Sequence, residues 1–213
     1  MIVDRAVRLG ALAWMLAAQF FVAQLVVASA WPGPFSLRTR MISDLGNTAC
    51  GPSHRPRSTG ACSPWHAAMN ASFVIVGVTM AAGALLTRRA FKPGWRSGLA
   101  VALFVAAGAG VILVGWYPEN ENAATHVIGA GVNLVAGNTA LILFGLATPQ
   151  SPPRLRLSAF SVIAGLAGLI ATILIASHRD LGLGAGTIER VAAYTISSWQ
   201  IVAGIALRLQ VRA

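Results

Sequence analysis

Six long apolar segments, each near the length needed to cross a bilayer, dominate this chain of 213 residues. They lie at Leu9–Ala30, Pro64–Leu86, Gly98–Tyr117, Ala123–Leu146, Ala159–Ser177 and Thr187–Leu207. A transmembrane helix needs about 20 mostly apolar residues. A soluble domain carries roughly a quarter charged residues, whereas this chain carries 10%. The sequence therefore predicts an all-α polytopic membrane protein, folded as a bundle of six transmembrane helices.

The joins between these segments leave no room for a separate soluble domain. We expect residues 1–213 to form one transmembrane domain with a long polar loop at about 31–63. The first segment is long enough to span the bilayer, and no small-residue cleavage pattern follows it. This pattern favours a retained first helix over a secretory signal.

The net charge of +10 is distributed unevenly along the chain. With the N-terminus inside, lysine and arginine dominate the inner segments, and every acidic residue except Asp4 falls on the outer side. The positive-inside rule then predicts both termini in the cytoplasm and the loop at about 31–63 outside. We expect a multi-pass protein of the bacterial inner membrane in contact with the lipid bilayer. No basic surface with interleaved aromatic residues lies outside the spans, so nucleic acid is not an expected partner.

The only two cysteines, Cys50 and Cys62, lie in this polar loop. On the outer side of the membrane they would meet an oxidising compartment, where disulfides persist. We predict a disulfide between them, worth on the order of 3 kcal/mol by chain entropy. Two free thiols are the alternative, and the spacing matches no common zinc pattern.

Polar side chains recur near the outer ends of the predicted helices. Such groups are costly inside a membrane unless they face the bundle interior or an aqueous cavity. At 100° per residue, Asn133 lies within about 20° of His126 on the fourth segment. On the second segment, Ser63, His66 and Asn70 form a similar stripe.

The last segment adds Glu189 and Arg190 near its outer start, and Asp44 and Glu119 lie in the outer loops. The convergence of these groups predicts a polar pocket that opens outward. The alternative is that the amides only join helices, at about 1 kcal/mol for each hydrogen bond.

Several chemistries fit such a pocket, and the sequence does not choose among them. His66, His126 and Glu119 are candidate ligands for a divalent metal that activates water. His126 with Glu119 or Asp44 is a candidate pair for proton transfer. Haem ligation by the two histidines is a further alternative. The chain has no HExxH motif and no GxSxG serine elbow, so the cofactor and the enzymatic nature of the protein stay undecided.

Four blocks in order resemble those of the DUF998 family of prokaryotic integral membrane proteins. They are "SLRTRMISDLG", "SPWHAAMNASFVIVG", "GWYPENENAATHVIGAGVNLVAGNTALILFG" and "GTIERVAAYTISSWQ". The resemblance covers nearly the whole chain after the first span. It implies a six-helix membrane fold but no reaction. The insert with the two cysteines is not part of the pattern.

The ligand we expect is lipid-like or otherwise amphiphilic, because such molecules reach a pocket in the outer half of a bilayer most easily. We expect His126 and Asn133 to line its floor. Asp44, His66, Asn70 and Glu119 would surround the mouth, while Glu189 and Arg190 orient a polar head group. The alternatives are a non-catalytic accessory or assembly protein and a small-molecule transporter. The transporter is less favoured because few polar groups reach the inner half of the spans. The sequence identifies no protein partner.

Overall fold

The computed structural model describes residues 5–48, 63–147 and 152–210. Within these ranges the chain forms seven α-helices: α1 Arg5–Met15, α2 Ala18–Ser29, α3 His66–Thr87, α4 Trp95–Trp116, α5 Ala123–Ala147, α6 Pro152–Ala176 and α7 Ala185–Gln210. Short 3-10 helices cover Ser43–Gly46 and Arg88–Ala90. The predicted disulfide between Cys50 and Cys62 lies outside the described residues.

Five helical stretches of the described chain are long and apolar enough to cross a membrane. They are Arg5–Ser29, His66–Ala90, Trp95–Trp116, Ala123–Ala147 and Leu157–Ala176. The all-helical, membrane-type fold predicted from the sequence is therefore confirmed. Helix α7 is longer still, with 26 residues, but Glu189, Arg190 and Gln200 make it less apolar. Its passage through the membrane, and with it the count of six spans, stays a prediction.

The first apolar segment is one span built from two helices. Helix α1 ends at Met15 and α2 begins at Ala18. Between them the Ala17 N–H donates to the Trp14 carbonyl at 3.1 Å, and the Phe20 N–H donates to the Ala17 carbonyl at 3.1 Å. These i to i−3 hydrogen bonds tighten the backbone locally.

The helices follow one another around a ring. Each of α3 to α6 packs against the next helix in the chain, and α1 packs against both α3 and α7, which closes the ring. Small residues allow the backbones to approach closely. A methyl group at Gly110 of α4 would lie 2.5 Å from the Gly129 carbonyl oxygen of α5. A methyl group at Gly108 would lie 2.6 Å from the Gly77 carbonyl oxygen of α3.

The two ends of the bundle differ in what lies on them. We call the end that carries residues 31–48 and the turns 117–122 and 177–184 the loop end, and the opposite end the far end. Exposed Trp65 and Trp116 lie at the loop end, and exposed Trp95 lies at the far end. Tryptophan is enriched at both water interfaces of a membrane, so these rings fit the two boundaries of a bilayer.

Aromatic rings fill the bundle toward the far end. The fully buried Trp14 contacts Trp199 edge-on, with 5.0 Å between ring centroids, and Phe104 at 5.9 Å. Phe144 stacks on Trp199 at 5.1 Å. The Trp14 indole N–H donates to the Met80 carbonyl at 3.3 Å. This cluster has few polar contacts. The candidate site lies at the opposite side of the bundle, toward the loop end.

Candidate functional site at the loop end

A turn at residues 37–40 is bound to the start of α7 by its main-chain carbonyls. Nη1 of Arg190 donates to the carbonyls of Leu37 at 2.9 Å and Arg40 at 2.7 Å, and also to Gly186 of its own helix at 2.9 Å. The Thr187 N–H, in the first turn of α7, is shared between the Arg38 carbonyl at 3.2 Å and the Gly184 carbonyl at 3.0 Å. The sequence predicted that Arg190 orients a head group, but this nitrogen instead holds the protein's own backbone.

Two glycines make this close approach possible. Gly184 has a φ of +90°, a backbone conformation in which glycine carries no steric penalty. A side chain at Gly184 would collide with the Arg38 carbonyl, and one at Gly186 would collide with the Arg40 carbonyl. The stretch before and inside the first turn of α7 is therefore shaped to receive the loop.

Two carboxylates then organise the short 3-10 helix Ser43–Gly46. The Ile42 N–H donates to Oε2 of Glu189, and the Met41 N–H donates to Oδ2 of Asp44 at 2.9 Å. Acidic side chains near a helix N-terminus satisfy its free N–H groups. Glu189 thus acts on the loop from α7, while Asp44 acts from within the loop.

The environment of Asp44 disfavours its charged form. Burial raises the pKa of its carboxyl above the ordinary value. The hydrogen bond from the Met41 N–H and the positive charge of Arg40 lower the pKa, but by less, and nearby Glu119 raises it further. A carboxyl with this balance holds its proton to a higher pH than an exposed aspartate does.

The next part of the loop is bound to the turn between α4 and α5. The Ser43 hydroxyl donates to Oε2 of Glu119 at 3.2 Å. Thr48 exchanges two hydrogen bonds with the Asn120 side chain, at 3.1 and 2.8 Å, and its hydroxyl donates to Glu121 at 2.6 Å. Asp44 and Glu119, which were predicted at the mouth of the pocket, therefore both accept hydrogen bonds from the loop.

His126 lies in the first turns of α5 and is 5% exposed. Its Nδ1 lies 2.9 Å from the Tyr117 carbonyl oxygen. Because a carbonyl only accepts hydrogen bonds, Nδ1 must carry the proton. In the neutral ring, Nε2 is then an acceptor, and it is the nitrogen left for other partners.

A cavity of about 60 Å³ lies beneath the loop, inside the bundle. Its polar lining comes from Ser43, His126, Asn133, Glu189 and Ser197. The rest of its wall is aromatic and aliphatic and comes from Ile42 of the loop and from α2, α3, α4, α5 and α7. Three of the predicted site residues, His126, Asn133 and Glu189, thus line one cavity.

The asparagines bind the backbone as well. Nδ2 of Asn133 donates to the Ala107 carbonyl at 3.1 Å, which leaves its Oδ1 as an acceptor. Nδ2 of Asn70 donates to the Gly46 carbonyl at 3.0 Å, so Asn70 supports the loop from α3. Deeper in the bundle, Nδ2 of Asn138 donates to the Ala192 carbonyl at 3.0 Å.

His66 does not share the cavity with His126. It is the first residue of α3, half-buried, and is not among the residues that line the cavity. Within the described part of the chain, no three His, Cys, Asp or Glu side chains come close enough to hold a metal ion. The geometry therefore does not support the candidate metal set His66, His126 and Glu119.

Sequence reasoning missed two polar contacts with α2. The Tyr194 hydroxyl donates to Oε1 of Gln24 at 2.7 Å. Gln19 and Ser72 exchange hydrogen bonds at 2.8 and 3.2 Å. Amide side chains in an apolar span are a signal of interhelical contacts, and Gln19 and Gln24 could have been singled out on that ground.

The comparison with protein families agrees with the sequence resemblance. The family model described as "Protein of unknown function (DUF998)" matches residues 15–206. The chain belongs to the DUF998 family. No curated protein and no solved structure matches it. The DUF998 match covers every residue of the loop-end site described above, from Leu37 to Ser197.

Proposed function

We propose that this DUF998 protein binds the polar head of a lipid-like amphiphile in the loop-end cavity. The observation that carries the proposal is the cavity that brings together His126, Asn133 and Glu189 from two helices beneath the loop. Ligand sites are concave, mostly apolar, and hold a few convergent polar groups. A molecule that reaches this site from a bilayer is expected to have both an apolar and a polar part.

The acceptors in the cavity define the head group that fits. Nε2 of His126 and Oδ1 of Asn133 are left as acceptors by the hydrogen bonds of their neighbouring nitrogens. A hydroxyl or an ammonium group of the ligand can donate to them. At about 60 Å³ the cavity admits a small polar group or a few water molecules, so it would hold only the polar part of the ligand.

We further propose that the protein spans the bacterial inner membrane six times, with both termini in the cytoplasm. Helix α7 supports this because its 26 residues extend about 39 Å, more than the bilayer core of about 30 Å. It also closes the ring between α6 and α1. The far end carries Arg88, Arg89, Lys92 and Arg96, and by the positive-inside rule these charges support a cytoplasmic position for it.

Binding is better supported than catalysis. Of the three residues proposed for proton transfer, only His126 lines the cavity. Glu119 accepts a hydrogen bond from Ser43, and Asp44 accepts one from the Met41 N–H. Processing of the ligand would need one of these carboxyls to release its partner.

Mass spectrometry of small molecules and lipids that co-purify with the protein tests the proposal. The wild type is compared with His126→Ala and with His66→Ala, a matched histidine control outside the cavity. We expect a stoichiometric amphiphile in the wild type and in His66→Ala, and its loss from His126→Ala. Equal contents in the three proteins, or none in any, would contradict the proposal.

A non-catalytic accessory or assembly role is the second candidate. It is favoured by the many polar side chains that bind the chain's own backbone, among them Asn70, Arg190 and Glu189. In that case the loop end is a rigid platform for a protein partner. A wild type without ligand, and as stable as His126→Ala, would favour this role.

A further inference from the structure

We propose a second site, separate from the cavity, in which one anionic membrane lipid lies in a lateral groove between α6 and α7. This groove has a volume of about 710 Å³. Its walls come from Phe160, Ile163, Ala164 and Ala167 of α6, from the α7 face that includes Arg190, Val191 and Tyr194, and from Leu37 and Arg38 above. The proposal does not depend on the ligand of the cavity.

The two sites lie on different faces of α7. Glu189, Ala193 and Ile196 line the cavity, whereas Arg190 and Tyr194 line the groove. Neighbouring residues on a helix point about 100° apart. Helix α7 therefore separates an interior site from a site on the lateral surface of the bundle.

Arg190 supplies the reason to expect an anion. Its side chain is 7% exposed, yet Nε and Nη2 are buried without a hydrogen-bond partner in the described structure. Buried polar groups, and charged ones above all, normally have partners. Nε and Nη2 together carry three N–H bonds. The Tyr194 hydroxyl lies near the guanidinium and gives its own proton to Gln24, so its oxygen can accept at most two of them. At least one donor remains for a ligand.

The position of Arg190 fits a lipid head group. It lies near the loop end of the groove, next to the exposed Arg38, whose Nη2 donates to the Gly182 carbonyl at 2.7 Å. Phosphate oxygens suit the planar donors of arginine because two N–H groups can bind together. A phosphate at this end would satisfy Arg190 and lie close to the positive charge of Arg38.

The rest of the groove fits an acyl chain. From Thr187 to Ser198 it extends along α7 by roughly 16 Å at 1.5 Å per residue. This is about half the hydrocarbon thickness of about 30 Å, the depth of one leaflet. The α6 wall is mostly apolar, and Ile163 is exposed there. The groove thus offers charge at the surface and an apolar floor below it.

Native mass spectrometry of the full-length protein from nanodiscs tests the proposal. The nanodiscs contain equal amounts of phosphatidylglycerol and phosphatidylcholine. We expect the wild type to retain one phosphatidylglycerol in preference to phosphatidylcholine by about tenfold, because only the anionic head leaves a net negative charge for the guanidinium. Equal retention of the two lipids would overturn the proposal.

Two α6 variants make the result specific to the groove. Ala167→Phe fills the groove and leaves Arg190 in place, so it should lower phosphatidylglycerol retention by about tenfold. Ile170→Phe adds similar bulk on the same helix at an exposed position outside the groove lining, and it should retain lipid as the wild type does. Unchanged retention in Ala167→Phe would overturn the proposal. A wild-type protein dimer that Ala167→Phe abolishes would also overturn it, because the groove would then be a protein interface.

Arg190→Gln tests the charge directly and should abolish the preference for phosphatidylglycerol. Arg190 also holds the turn at 37–40, so a change in Arg190→Gln could come from the turn as well as from the lost charge. Arg38→Gln is therefore measured beside it, because it removes a neighbouring charge at an exposed position. We expect Arg38→Gln to lower the preference by about threefold. A preference that persists in both variants would contradict the assignment of the head group to this end.

Discussion

Toward the far end of the bundle, Trp14 packs against rings from four other parts of the chain, and its one polar atom reaches the Met80 carbonyl. At the loop end, by contrast, Arg190 and Glu189 bind main-chain groups more than 140 residues away in the sequence. The far end depends on the shapes of large side chains. The loop end depends on matching donors with acceptors, and it leaves a cavity beneath the loop.

This difference is the reason for proposing that function resides at the loop end. A close-packed aromatic cluster has few spare hydrogen-bond groups and little space, so it serves stability. At the loop end, His126 and Asn133 retain acceptors beside a cavity, and Arg190 retains donors beside a groove. Polar groups inside a membrane are costly and are often functional.

The largest effect on stability should come from the far end. Trp14→Ala removes the centre of the aromatic cluster and should lower the free energy of unfolding by about 3–5 kcal/mol. Trp14→Phe keeps an aromatic ring and should lose considerably less. Thermal unfolding in detergent measures both variants. A small loss in Trp14→Ala would show that the cluster does not dominate the far end.

Arg190→Gln should have the next largest effect. It removes the charged donor from the Leu37 and Arg40 carbonyls, which should cost on the order of 3 kcal/mol. Hydrogen exchange of residues 37–46 should accelerate, while that of the far end remains slow. Arg38→Gln is the matched control, because its hydrogen bond to Gly182 is exposed and it should change little. Equal exchange in both variants would contradict the role of Arg190.

Much of the helical part of the site could be predicted from the sequence. The angle between His126 and Asn133 follows from helix geometry, and both residues line the cavity. The predicted stripe of Ser63, His66 and Asn70 does not line the cavity. Helix α3 begins only at His66, and Ser63 precedes it.

The contacts of the loop could not be predicted. Arg190 binds the carbonyls of Leu37 and Arg40, and carbonyls carry no signature in the sequence. Which main-chain groups meet α7 depends on how the loop docks over Gly184 and Gly186. The broken first span also went unnoticed, because no proline or glycine marks the turn at residues 16–17.

Asn138 lies in the middle of the bundle, and Asn138→Ala should lower the stability by less than Trp14→Ala or Arg190→Gln does. It removes hydrogen bonds to the Leu134 and Ala192 carbonyls and the acceptor for Thr195, which should cost about 1 kcal/mol. Thr139→Val is the control, since its hydroxyl only binds Val135 of its own helix. A loss in Asn138→Ala no greater than in the control would show that the amide does not join α5 to α7.

The smallest effect expected is a pH dependence at Asp44. Because burial raises its pKa in the folded protein, folding is favoured by protonation, and stability falls as the pH rises above the ordinary aspartate value. Asp44→Asn keeps an oxygen acceptor for the Met41 N–H without the charge. The variant should gain stability relative to the wild type as the pH rises above the ordinary aspartate value. A difference that shrinks as the pH rises would contradict the raised pKa.

The central claim, that the loop-end cavity binds an amphiphile through His126, is tested most directly by re-adding lipid to delipidated protein. The unfolding midpoint is measured with and without a total polar extract of bacterial membranes for the wild type, His126→Ala and His66→Ala. A ligand that binds only the folded state raises the midpoint. We predict the larger rise in the wild type and His66→Ala and a smaller rise in His126→Ala. The same rise in all three proteins would contradict the claim.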